Sequence, residues 1–76
     1  MDYGKIYIAT KNWQTVTDIL EYSDDTAYFN LFGEKCKCNL FDRVVYHEVN
    51  GEWKPYEKAA EVVDVRTPEI TVKAKN

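Results

Sequence analysis

Residues 15–41 alternate apolar and polar side chains around two short turn-forming pairs, and both turns predict one shared apolar face. A tight turn at Asp24–Asp25 sets Tyr22 opposite Ala27, Leu20 opposite Phe29 and Asp18 opposite Leu31. A second turn at Gly33–Glu34 sets Leu31 opposite Cys36, Phe29 opposite Cys38 and Ala27 opposite Leu40. Sheet register follows from period-two patterning together with turn length. Two independent turns that agree therefore define three antiparallel strands, Gln14–Tyr22, Thr26–Phe32 and Lys35–Phe41. Asp18 is the one misfit on their inner face.

The flanks extend the same pattern. Lys5–Ala9 reads as a first strand with Ile6 and Ile8 on one side. Lys11–Asn12 is a turn before Trp13. Asn50–Gly51 is the strongest turn signal, because a type I′ turn needs positive φ at both central residues. It joins Arg43–Val49 to a short return strand, Glu52–Tyr56, in which Pro55 marks an edge. That hairpin sets Glu48 opposite Trp53 and Tyr46 opposite Pro55. Neither of its sides is cleanly apolar, so it is expected to project from the body. Residues 57–65 begin with helix-forming composition and end in β-branched residues, which predicts one helical turn leading into a strand. From Pro68 the chain alternates again, with Ile70, Val72 and Ala74 on one side, and this strand is expected to pair with the first.

The whole predicts an all-β domain over residues 1–76, a small antiparallel meander closing into a partly open barrel of the SH3-like or OB-like kind. An α+β roll with one short helix near 57–64 is the alternative.

A chain of 76 residues leaves little room for a deep substrate pocket beside its scaffold. Its hydrophobic content of 45% is too high for a disordered segment, and its net charge of −3 argues against non-specific nucleic-acid binding. The N-terminal residues show no signal-peptide pattern and no run is long enough to span a bilayer, so a cytoplasmic protein without membrane contact is expected. The size suits a small reading frame of a phage or other mobile element.

Few residues suggest chemistry. Cys36 and Cys38 lie about 6–7 Å apart on a strand, at the limit for a disulfide. With His47 they give three metal ligands where a structural zinc site takes four, so they read as core residues and no metal or other cofactor is expected. An enzyme would need His47, the only histidine, or these thiols. His47 reads instead as a hydrogen-bonded or solvated strand residue. Asp18, Glu21, Asp24 and Asp25 lack the spacing of a calcium loop.

The outer face of the meander is more informative. By parity it carries Thr17, Ile19, Glu21, Tyr28, Asn30, Phe32, Lys35, Lys37 and Asn39. An apolar patch on such a face marks a contact surface, and Trp and Tyr are enriched at protein contacts. The expected function is therefore a non-enzymatic, acidic protein-binding module, an inhibitor or accessory protein. Its contacts would be Ile19, Tyr28, Phe32 and Trp53, with Glu21, Asp24 and Asp25 steering a basic partner. The alternative is a single-stranded nucleic-acid binder that uses Tyr28, Phe32, Lys35 and Lys37. The chain is expected as a monomer or as a homodimer paired through an edge strand at 52–56 or 69–74.

Overall fold

The computed structural model describes residues 3–66. Seven strands run through these residues: β1 (Lys5–Ala9), β2 (Gln14–Ser23), β3 (Thr26–Leu31), β4 (Glu34–Asn39), β5 (Val45–Val49), β6 (Glu52–Pro55) and β7 (Asp64–Arg66). All neighbours are antiparallel, in the order β6-β5-β4-β3-β2-β1-β7. The sheet curls into a half-barrel, the all-β partly open barrel expected from the pattern. The alternative helix near 57–64 is reduced to one 3-10 turn, Glu57–Ala59, followed by β7. β7 pairs with β1, whereas the strand expected from Pro68 onward lies outside the described residues.

The bend is made inside β2. Residues Gln14–Asp18 pair with β1 and residues Ile19–Ser23 pair with β3, with a register shift between Ile19 and Glu21. Leu20 is the extra residue of a β-bulge, a device that bends a strand and changes which side chains face inward. Beyond the bulge Tyr22 faces Ala27 as the turn predicts, but Ile19, not Leu20, faces Phe29. Ile19 is consequently 5% exposed and Leu20 56%. This overturns the expectation that Ile19 is a surface contact and Leu20 a core residue. Thr17 turns inward with Ile19, while Asp18 turns outward and pairs with Lys5 at 2.6 Å. The single misfit of the alternation is thus the trace of the bulge.

The second turn is also displaced. Leu31 pairs with Glu34, so the two turn residues are Phe32 and Gly33 rather than Gly33 and Glu34. Both have positive φ, +54° and +80°, as a type I′ turn requires, and glycine takes the second position as it does at Asn50–Gly51. The displacement moves the register by two residues. Parity survives, so Ala27, Phe29, Leu31, Cys36 and Cys38 still point inward. Glu34, however, leaves the turn and joins the inner face of β4 at its end.

The core joins these residues to Ile6, Ile8, Ile19, Val45, Tyr56 and Ala59. Phe29, Ile6, Ile8, Cys36 and Cys38 are fully buried. Burying a side chain such as Phe29 stabilises the fold by roughly 3 kcal/mol. The hairpin around Asn50–Gly51 keeps its expected pairs, Glu48 with Trp53 and Tyr46 with Pro55. It does not project. β5 is joined to β4 through Cys36–His47, Lys37–Tyr46 and Cys38–Val45, because Val45 and His47 supply the inward side that the hairpin alone lacks.

Candidate functional site

On the face away from the core, direct cross-strand pairs place Glu21, Tyr28, Lys37, Tyr46 and Pro55 in one row from β2 to β6. Trp53 stands beside that row, opposite Glu48. β3 and β6 are three strand spacings apart, roughly 14 Å. Trp53 and Tyr28 nevertheless meet edge to face, with ring centroids 6.2 Å apart, so both rings lean over the strands between them. Lys37 fills the middle. Its Nζ lies 4.7 Å from the Trp53 ring centre and 5.9 Å from that of Tyr46. The three rings and the lysine stem are each half-buried by one another. Cation–π and edge-to-face contacts fix such a group at about 0.5–1.5 kcal/mol each. The result is a pre-ordered aromatic plate that the core does not need.

The structure brings together Tyr28, Trp53, Glu21, Lys37 and, two residues along β4, Lys35. It does not bring Phe32 to them. Phe32 sits in the β3–β4 turn, 55% exposed, edge-on to Trp13 at 5.1 Å and under Lys58 Nζ at 5.4 Å. Ile19 is in the core, as above. Asp24 and Asp25 form the β2–β3 turn with φ of +51° and +59°, and Asp25 accepts a hydrogen bond from the Tyr22 hydroxyl at 3.2 Å. Tyr46 joins the plate although no local pattern selects it; the signal was its parity with Lys37, available only once β5 is known to pair with β4.

A second group lies at the end of the barrel on the inner side. Glu34 accepts from the Tyr56 hydroxyl on Oε2 at 2.8 Å and contacts His47 Nδ1 through Oε1 at 2.9 Å. The His47 ring stacks on Tyr56 at 4.6 Å with 22° between planes. The His47 and Tyr56 hydrogen bonds, in that order, hold the Glu34 carboxyl below its ordinary value. An ionised carboxylate only accepts, so Nδ1 carries the proton in this pair. Burial first, then the bond to Glu34, pushes the Tyr56 phenol up to about 12, and it remains a neutral donor. The sequence assigned Glu34 to a turn and so missed this cluster; the preference of type I′ turns for glycine in second place was the available signal.

The thiols are poor nucleophiles in this setting. Burial, then the Glu34 charge, raises Cys36 to about 11; burial, then Asp42, raises Cys38 to about 12. Both cysteines are free. Among the described residues no group of three or more His, Cys, Asp or Glu is placed to hold a metal ion, and no helix is long and apolar enough to cross a membrane.

Comparison with protein-family models, with curated proteins and with solved structures gives no match.

Proposed function

We propose that the protein is a non-enzymatic binding module that applies the plate of Tyr28, Lys37, Tyr46 and Trp53 to the surface of another protein. The observation that carries this is the contact of Trp53 with Tyr28 across Lys37, a half-exposed aromatic group ordered without help from the core. Pre-ordered Trp and Tyr lower the entropic cost of docking and are the residues on which binding energy concentrates. The rim gives the sign of the partner. Glu21 lies directly opposite Tyr28 and Glu48 directly opposite Trp53, and both are exposed. A basic protein surface complements them, with Asp24 and Asp25 adding to the long-range attraction.

The same carboxylates disfavour a nucleic-acid strand, whose phosphates would lie beside them. Lys37 is already engaged with two rings, and Phe32 is turned away from Tyr28 and Lys35. A single chain is favoured over a dimer paired through β6, since Pro55 gives that edge no N–H for a further strand. Free thiols suit a reducing compartment such as the cytoplasm, and an inhibitory or accessory role suits a chain of this size.

The test is capture from host lysate with the wild-type chain and with Trp53→Ala, each checked by circular dichroism. One protein retained by the wild type and weakened about 30-fold or more by Trp53→Ala supports the reading, as a central aromatic contact is worth about 2 kcal/mol. Salt-sensitive oligonucleotide binding that is lost in Lys37→Gln would replace it with the nucleic-acid reading.

A further inference from the structure

The aromatic plate carries three hydrogen-bond donors that the fold does not use. Among the described residues the hydroxyls of Tyr28 and Tyr46 and the indole N–H of Trp53 have no hydrogen-bond partner, and no buried side-chain nitrogen or oxygen lacks one, so all three are open to solvent. Pro55 closes the row at β6 and adds an apolar ring. β3, β4 and β5 are interior strands whose backbone groups are taken up by ladders on both sides. A ligand over this face therefore cannot add as a strand. It meets ring faces and the three free donors.

The charges around the plate are unevenly spread. Parity puts Glu21, Lys35, Lys37 and Glu48 on this face, whereas Glu52 and Lys54 pair with Val49 and His47 on the other. Lys37 is held against Tyr46 and Trp53 by its cation–π contacts. Lys35 is one step along β4 from the Cys36–His47 pair and Glu48 one step along β5, so these two adjoin and offset each other. Beyond the bulge Lys5 is paired with Asp18 and Arg66 with Asp64. Asp42 and Arg43, neighbours in the β4–β5 connection, cancel. That leaves Glu21 with Asp24 and Asp25 of the adjoining turn. They are three exposed carboxylates at the β2 end of the row, with no cation paired to them among the described residues.

We propose that the plate binds a proline-rich segment in the polyproline II conformation, with a basic residue at the end that reaches Glu21. This rests on the reading of the plate as the contact surface and names what that surface takes. Prolines have no N–H, so such a segment demands few acceptors, and its carbonyls, unused within its own helix, accept from Tyr28, Tyr46 and Trp53. Pyrrolidine rings pack on aromatic faces, and the segment arrives already extended, so little conformational freedom is lost on docking. Glu21 to Pro55 spans four strand spacings, roughly 19 Å. Polyproline II rises about 3.1 Å per residue, so about six residues cover the row. A lysine or arginine at its end meets Glu21, with Asp24 and Asp25 behind it.

The probe is an acetylated and amidated run of prolines of that length with one terminal arginine, made with the arginine at either end. It is titrated into the full chain and followed by the two indole N–H resonances, which Trp53→Phe assigns. Trp53 should shift saturably while Trp13, which packs on Phe32 away from the plate, should not. The better arginine peptide should bind about tenfold or more tightly than a glycine–serine peptide carrying the same arginine, and about fivefold more tightly than its glutamate counterpart. Tyr46→Phe keeps the ring and loses the donor, so it should weaken binding about fivefold. Glu21→Gln, an exposed change, should weaken the arginine peptide about threefold and leave an all-proline peptide unaffected. An unmoved Trp53 resonance at millimolar peptide, equal binding of the glycine–serine peptide, or equal binding of the glutamate and arginine peptides would overturn the proposal. Failure of the contact surface itself is read separately, as lysate capture that does not depend on Trp53.

Discussion

Ile19 and Leu20 are adjacent, similar in size and opposite in fate, so truncating each to alanine isolates the effect of the bulge. Ile19 is 5% exposed and packs opposite Phe29; Leu20 is 56% exposed. Ile19→Ala removes roughly three carbons, at about 0.8 kcal/mol each, and leaves a cavity beside a residue that cannot move far. The expected cost is about 3 kcal/mol. Leu20→Ala removes atoms already largely in water and should cost about 0.5 kcal/mol or less. A chain of this length has a total stability of about 4–11 kcal/mol, so the first change consumes a large part of it and the second almost none. Urea unfolding followed by tryptophan fluorescence measures both. With a slope of about 1 kcal/mol per molar urea, the midpoint should fall by about 3 M for Ile19→Ala and by less than about 0.5 M for Leu20→Ala, with the slope unchanged. If Ile19→Ala leaves too little folded protein, Ile19→Val should still cost about 1 kcal/mol. Equal losses, or a larger loss for Leu20→Ala, would refute the bulge and with it the bend in β2.

Cys36 and Cys38 should resist a thiol reagent in the native state at neutral pH and both react on unfolding, since burial holds them to about 11 and about 12; fast native labelling of either would contradict the packing. The Tyr56 phenol is raised in the folded chain, so its stabilising contribution is complete below the ordinary value of 10.0 and is lost as pH rises toward about 12; Tyr56→Phe should flatten that alkaline limb of stability. The Glu34 carboxyl is lowered, so its contribution is complete above the ordinary 4.5 and is lost as pH falls below it; Glu34→Gln should flatten the acid limb, and unchanged acid unfolding would count against the His47–Glu34–Tyr56 cluster.

Local pattern and turn chemistry were enough to specify strands at β1 through β6, the inward set Ala27, Phe29, Leu31, Cys36 and Cys38, and the Glu48–Trp53 and Tyr46–Pro55 pairs. These depend on period-two alternation and on glycine or aspartate at two-residue turns, which are written into neighbouring residues. Tertiary structure decided three things that the alternation left open. It put the bulge at Leu20, because β2 must change partner from β1 to β3 and bend there, and the misfit at Asp18 marks a break in the alternation without saying which residue is the extra one. It docked β5 on β4, which brings Tyr46 and Trp53 onto Lys37, a pairing that neither hairpin specifies by itself. It placed Glu34 where His47 and Tyr56 could reach it, since a two-residue shift of register preserves which side is apolar and is therefore invisible to the hydrophobic pattern.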